Sequence, residues 1–394
     1  MLFQVATKSH RREPQMKVQQ QHPRAGFSWS LPTSRKPAAR MTVPLAAPKT
    51  GQHTTTEELR REALGYFFSN ADSLKCTPTS GGVNNVVQYV DTPEGKRYIL
   101  RIYNNGNKSE KVVYEHEVLR QLSSQKLSFE IPRAVPALKD GATHKRLSSG
   151  TEACVFELMP GQLAKTAAPE EVGRATGELC TALASVKLGP GPIAPYWDIY
   201  AVHWSMNRDL FYQQVKENPE MNACREAIDY LAGELQRLEA SLERYKAMDL
   251  PMQVIHGDVH YDNCMVLMNQ DCETVSGILD FEFATFDWRL MELAVGLSKY
   301  VGEADPLPFI QQYVRGYART SKLTDAEIQI IPDAIALRIH SNVVYFTGRA
   351  YAGEDGIDSL TSRAATYAKR VRWINSNKDA IINTIREAYA AANN

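Results

Sequence analysis

The sequence predicts an α+β chain of two unequal lobes: a small five-stranded antiparallel β N-lobe with one inserted helix, then a larger, mostly α-helical C-lobe. Three observations carry that expectation. Short apolar runs bounded by turn residues crowd positions 73–160. Apolar residues at helical spacing dominate from about 169 onward. A polar, loop-rich stretch at 253–281 interrupts those helices. A cleft between two such lobes is the usual place for a ligand.

Composition sets outer bounds. The chain has 394 residues, 43% of them hydrophobic and 23% charged, which supplies an ample core and excludes wholesale disorder or fibrous structure. Lys+Arg 45 against Asp+Glu 45 leaves no basic surplus for phosphate contacts, so no nucleic-acid partner is expected. No apolar run approaches the ~18 residues that span a bilayer, so no membrane partner is expected either. The six cysteines form no C-x-x-C pair and read as free thiols, without the ligand spacing of a zinc site.

The elements follow in order. Residues 1–50 hold nine Lys/Arg, one acid (Glu13) and six prolines, and 1–53 is read as a disordered basic leader. Its acid-poor, Arg-bearing composition resembles an organelle transit peptide, and a dispensable extension with Met41 as the working start fits equally. The protein is thus expected in the cytoplasm or, with a transit peptide, in an organelle matrix. It lacks the apolar segment of a secretory signal. The N-lobe, 54–160, opens with a helix capped by Thr54 and Glu57 or Thr55 and Glu58. Strands are expected at 73–79, 86–90 and 98–103, with Thr92-Pro-Glu-Gly95 as a hairpin turn. A helix at 109–122 turns Val113, Val118, Leu119 and Leu122 inward, and strands at 131–138 and 153–159 complete the sheet. The C-lobe, 161–394, has helices at 169–186, 223–247, 287–300, 307–320, 325–346 and most of 358–390.

The densest polar cluster is His256-Gly257-Asp258-Val259-His260-Tyr261-Asp262-Asn263, pinned between two apolar strands. Leu279-Asp280-Phe281-Glu282 follows, again with an Asp at a strand end. Phosphoryl transfer needs a carboxylate that accepts a hydroxyl proton and hard oxygen ligands for Mg²⁺ on the nucleotide phosphates. Asp258 with Asn263 and Asp280 supplies both.

The H-G-D-x-H-x-x-N loop with D-F-E resembles the aminoglycoside phosphotransferase/choline kinase superfamily of small-molecule kinases, whose fold is protein-kinase-like. The resemblance spans about 57–345 and implies ATP and Mg²⁺ as cofactors, Asp258 as the catalytic base, and Asn263 and Asp280 as metal ligands. It further implies a phosphate-covering turn at 79–85 with Gly81, Gly82, Asn84 and Asn85. Arg101 stands where most kinases have Lys, partnered by Glu115, with Glu117 as the fallback. The backbone at Glu157 to Met159 resembles the hinge that bonds the adenine edge. Asp262 and Glu282 are candidates for an acceptor amine, and Trp288, Tyr345, Phe346, Tyr351 and Trp373 for an aromatic box. Asp287 resembles an acid that ties the loop down, and by itself reads equally as a helix N-cap. Glu292 occupies a position where relatives often carry Asp, and His256 reads as a hydrogen-bonded loop pin.

Within the superfamily, the 79–103 hairpin, the 254–263 loop and Tyr313-Val-Arg-Gly-Tyr317 look most like type II homoserine kinase. The implied reaction is ATP-dependent phosphorylation of a small amino-alcohol or amino acid such as homoserine, by a monomer or homodimer. A choline, ethanolamine or hydroxylysine kinase and a catalytically silent kinase-like binding module are the alternatives. A protein kinase is disfavoured, because no A-P-E segment or long activation segment follows Asp280.

Overall fold

A computed structural model describes residues 56–79, 85–104, 108–269 and 272–392. The expected leader at 1–53, the caps Thr54 and Thr55, and Gly81, Gly82 and Asn84 lie outside the described residues.

Strand alternation decides what each face of the small sheet does. Strands β1 (Lys75–Pro78), β2 (Val86–Asp91), β3 (Arg97–Ile102), β4 (Lys145–Arg146) and β5 (Glu152–Glu157) pair antiparallel in the order β1-β2-β3-β5-β4. The β2–β3 turn closes as expected, with Thr92 N–H donating to Lys96 O at 2.8 Å and Gly95 at φ +82°. Leu100, Ile102, Ala153 and Val155 turn to one face and bury Ala63, Leu64 and Phe67 of helix α1 (Thr56–Phe67). Arg101 and Tyr103 turn the other way with Cys154 and Phe156, towards helix α2 (Ser109–Leu122).

Two expectations need correction here. The run at 131–138 is not a strand, and β4 is the fifth. The run still follows β5: Val135 N–H donates to Val155 O at 2.7 Å and Glu157 N–H to Arg133 O at 2.9 Å. Pro132 and Pro136 remove two donors, which leaves an isolated bridge at Ala134 in place of a ladder. On α2 it is Val112 that is buried while Val113 is 52% exposed. Residues 112, 115, 116 and 119 share one face, so Glu115 is carried inward with the apolar residues.

The second lobe contains β6 (Gln162–Leu163), α3 (Pro169–Leu183), α4 (Arg208–Glu217), α5 (Arg225–Lys246), β7 (Met252–Ile255), β8 (Cys264–Asn269), β9 (Cys272–Ile278), β10 (Thr285–Trp288), α6 (Leu290–Tyr300), α7 (Pro306–Tyr317), α8 (Asp325–Tyr351), α9 (Asp358–Ser376) and α10 (Lys378–Ala392). Helix α4 was not anticipated; Asn207 caps it by accepting from Leu210 N–H at 2.9 Å. The helix expected from 287 begins at Leu290, because Thr285–Trp288 pairs antiparallel with β7. Asp287 is therefore a strand residue and no helix N-cap.

The α3–α7 contact is made backbone to backbone. A Cβ at Gly173 would overlap the carbonyl oxygen of Tyr313, and one at Gly316 would overlap that of Glu170. Tyr313 OH donates to Thr176 Oγ1 at 2.8 Å and Tyr317 OH to Cys180 Sγ at 3.2 Å, which fixes the two helices in register. This platform carries β7, through Gln253 Nε2 donating to Cys180 O at 2.7 Å. Cys76, Cys154, Cys180, Cys224 and Cys264 are free thiols. Among the described residues no helix is long and apolar enough to cross a membrane.

Candidate active site

Antiparallel pairing delivers two loops to one end of the lobe. Ile255 lies opposite Thr285 and Cys264 opposite Ile278, so the 256–263 and 279–284 loops leave the strands side by side. Leu279 N–H donates to Asn263 O at 2.8 Å, which sets Asn263 beside Asp280.

The first loop is pinned from several directions. His256 Nδ1 accepts the Asp258 N–H at 3.1 Å, so its Nε2 carries the proton donated to Leu279 O at 2.9 Å. Burial lowers the pKa of this ring and keeps it neutral. Glu292 accepts from His256 N–H at 2.6 Å and Gly257 N–H at 3.2 Å. Gly257 has φ +78°, and a Cβ there would strike the backbone of Phe283. Tyr196 OH donates to Gly257 O, and Asp287 accepts from the N–H groups of Tyr196 and Trp288 at 2.5 and 2.6 Å. Glu292 and Asp287 are wholly buried, and burial pushes each carboxyl up to about 7. The Glu at 292 thus does the work of a loop anchor despite the substitution.

Asp258 sits on this platform. Asn263 Nδ2 donates to its backbone oxygen at 2.9 Å and to Oδ2 at 3.2 Å. Arg338 Nη2, from α8, donates to Oδ1 at 2.5 Å, and His260 Nε2 lies 3.5 Å from the same oxygen. Burial alone raises the carboxyl, but His260 and Arg338 overcome it and hold Asp258 well below the usual carboxylate range. It is a carboxylate at neutral pH.

The sheet side contributes a second cluster. Arg101 Nη1 bonds Glu115 Oε1 at 3.1 Å and Nη2 bonds Asp280 Oδ1 at 2.9 Å, so one guanidinium links the lobes. Against the cost of burial, Asp280 and Glu115 hold Arg101 charged. Burial in turn pushes Glu115 up to about 7 in spite of Arg101. Glu117 pairs with Arg120 on the outer face. Asp280 has φ +64° and ψ +68°, a left-handed conformation that costs a non-glycine residue of order 1–3 kcal/mol and recurs at functional sites.

The metal candidates Asn263 and Asp280 are adjacent hard-oxygen donors. Both N–H bonds of Asn263 go to Asp258, which leaves its Oδ1 as the ligating atom. Two such side chains suit Mg²⁺ shared with phosphates, and the described residues contain no group of three or more His, Cys, Asp or Glu fit for a protein-only cage.

Other expected site residues are placed elsewhere. Glu282 accepts from Asn85 Nδ2 at 2.5 Å, and Asn85 Oδ1 accepts from Asn104 N–H at 3.1 Å, so this acid is engaged at the start of β2. Asp262 pairs with Lys299 at 3.0 Å and Lys165 at 3.3 Å, and its Oδ2 lies 3.9 Å from Nδ1 of His260, the ring whose Nε2 faces Asp258. At the hinge candidate, the Glu157 N–H is taken by Arg133 and Met159 packs over Gly277. Tyr345 packs edge-on to both Phe283 and Phe346, whereas Trp288 packs on Trp197 and Tyr351 is exposed. The aromatics do not gather into one box. Sequence reasoning missed Arg338 and Tyr196. The available signal for Arg338 was a lone charge inside the apolar run Ile335-Ala-Leu-Arg-Ile339.

Residues 75–327 match the model of the phosphotransferase enzyme family. A homoserine kinase of Zymomonas mobilis is 26% identical over 254 residues, 62% of this chain and 72% of that protein. A homoserine kinase of Rhizobium meliloti is 29% identical over 287 residues, 71% of this chain and 79% of that protein. Among solved structures, a microcompartment-associated aminopropanol kinase superposes with a TM-score of 0.60 at 17% identity, over 82% of this chain and 97% of its own. An amicoumacin kinase solved with AMP-PNP and Ca²⁺ gives 0.54 at 15%, over 78% and 89%. These structural likenesses establish the protein-kinase-like fold.

Proposed function

We propose that this chain, which belongs to the phosphotransferase enzyme family, moves the γ-phosphoryl group of ATP to the hydroxyl of a small amino-alcohol or amino acid, with homoserine the leading acceptor. The observation that carries the reading is the meeting of the Asp258 carboxylate with the Asn263–Asp280 oxygen pair at one end of the β8–β9 hairpin. The homoserine kinase likeness along most of the chain supports the acceptor.

In this reading Asn263 Oδ1 and the Asp280 carboxylate would hold Mg²⁺, which would supply charge neutralisation at the phosphates. Arg101, held by Glu115 and Asp280, would supply positive charge to the α/β-phosphates. Gly81, Gly82, Asn84 and Asn85 are the residues proposed to bind the phosphates. The Glu157 carbonyl and the Met159 amide take the adenine edge. Asp258 orients the acceptor hydroxyl and accepts its proton as oxygen attacks the γ-phosphorus and the bond to the ADP oxygen breaks. The products are ADP and a phosphoester. Protein work is positioning and electrostatics, which fits a loop anchored by buried Glu292 and Asp287.

A second reading, an amino-alcohol kinase, draws on the likeness to the aminopropanol kinase. The test is ADP release by the full chain with Mg-ATP and homoserine, hydroxylysine, choline, ethanolamine or 3-aminopropan-1-ol. Asp258→Asn should lower turnover on the best acceptor by roughly 10²–10⁴-fold with ATP binding retained. Equal rates in both proteins would overturn the assignment. ATP binding with no turnover on any acceptor would favour the silent binding module.

A further inference from the structure

We infer that Arg338 reads a carboxylate on the acceptor, so that the substrate class is a hydroxy amino acid and not a simple amino-alcohol. The inference rests on the phosphotransferase reading and sharpens it.

The geometry supplies the argument. Arg338 projects from the interior of α8, with a side chain only 15% exposed, and ends on the Asp258 carboxylate. Its Nη1 donates to Asn342 Oδ1 one turn along, and its guanidinium lies 5.7 Å from the centre of the Tyr196 ring. Tyr196 is itself tied to Gly257 and Asp287, so the cation is held between two anchored elements. A guanidinium has five N–H donors. Among the described residues, Asp258 and Asn342 take two of them. The side chain keeps 15% of its surface exposed beside the Asp258 carboxylate, so an incoming group can reach its guanidinium.

The acceptor must bring its hydroxyl to within about 2.6–3.2 Å of Asp258. Arg338 Nη2 is 2.5 Å from that same carboxylate, so the atoms that follow the hydroxyl pass alongside the guanidinium. A carboxylate there is matched in charge and in its two-pronged shape. An acceptor that carries only an amine or quaternary ammonium meets a fixed like charge, a repulsive element that selects against it. The acids first considered for an amine, Asp262 and Glu282, are directed to lysines and to Asn85. Next to the Asp258 carboxylate itself, the fixed charge that the rest of the acceptor meets is Arg338.

Homoserine and 3-aminopropan-1-ol form the decisive pair, because the second is the first without its carboxylate. The full chain with Mg-ATP should prefer homoserine in kcat/KM by about 10²-fold, the worth of hydrogen bonds to a charged group. Arg338→Gln should raise KM for homoserine at least tenfold and bring the two acceptors close to parity. Arg338→Lys should restore part of the preference. An arginine that only positions Asp258 would instead depress kcat on both acceptors equally and leave the ratio unchanged, which would overturn the inference. The wild-type comparison needs no variant to fold. If any carboxylate-free acceptor of the panel is the best substrate, the inference fails while the phosphotransferase reading stands. If the chain binds ATP and phosphorylates nothing, the phosphotransferase reading fails and takes the inference with it.

Discussion

On the sheet side of the cleft, Arg101 is shared by two carboxylates, Glu115 and Asp280. On the helical side, Arg338 faces one, Asp258, and completes its shell with the neutral Asn342. Both guanidinium groups are largely buried, at 13% and 15% exposed, so the difference lies in their partners. The first cluster has one more negative charge than positive, and the rise of Glu115 to about 7 is where burial and that excess are felt. That excess suits the metal–nucleotide site proposed there. The second is balanced in charge, and among the described residues it is the Nε of Arg101, in the first, that is buried without a hydrogen-bond partner. Two arginines of equal burial thus sit in clusters of different net charge.

Asp280→Asn breaks this contrast most severely. It leaves the Arg101–Glu115 pair intact but removes both the surplus charge and a metal oxygen. Turnover with Mg-ATP should fall roughly 10²–10³-fold, while the thermal midpoint holds or rises. Steady-state kinetics beside thermal unfolding would check both halves.

Glu292→Ala breaks the platform beneath both clusters. Two buried N–H groups, of His256 and Gly257, lose their acceptor, and urea unfolding should show a loss of about 2–4 kcal/mol. Measured against Glu292→Gln, the wild type should also lose stability as pH rises. Glu292 and Asp287 titrate near 7 when folded and in the ordinary carboxylate range when unfolded. The folded chain therefore binds more protons between those values, and the stability these groups lend below the unfolded pKa is lost as pH passes about 7. A stability gap between wild type and Glu292→Gln that grows in favour of the wild type from pH 5.5 to 8 would contradict the burial argument; the buried rings of His116, His256 and His340, whose pKa values burial lowers, contribute alike to both proteins.

Glu115→Gln sharpens the comparison by making the first cluster as balanced as the second. Arg101 keeps Asp280 but loses its inner anchor, and KM for ATP should rise about tenfold with a smaller change in kcat. Asp262→Asn should do least. Its lysine partners are partly exposed, so stability should change by less than ~1 kcal/mol and acceptor KM by less than about twofold. A large rise in acceptor KM would return Asp262 to the acceptor site.

What the sequence disclosed and what it hid follow from the range of the interactions. Strand alternation placed Arg101 opposite Leu100 and Ile102, and the loop spacing placed Asp258, Asn263 and Asp280, because those relations are local. The Arg338–Asp258 pair joins residues 80 positions apart and left only a stray charge in an apolar helix to betray it. The strand at Thr285–Trp288 exists because β7 lies beside it, a partner that a helical reading of 287–300 does not weigh. At 131–138 two prolines outweighed an otherwise strand-like run. Asp287 looked like a cap because caps and strand-borne acids use the same residue; only the Tyr196 and Trp288 amides distinguish them.

The backbone contact between α3 and α7 bears on how mutational surveys of this chain should be read. Gly173 and Gly316 admit no side chain, since even a methyl group would enter the carbonyl of the facing helix. In a saturation library scored for growth or activity, both positions would be as intolerant as Asp258, though neither lies near the cleft. Tyr313 and Tyr317, part of the stretch that looks most like homoserine kinase, belong to the same contact. Intolerance and likeness along this stretch would report a frame that must not slip, and a survey meant to find the acceptor must look for positions where the ranking of substrates changes.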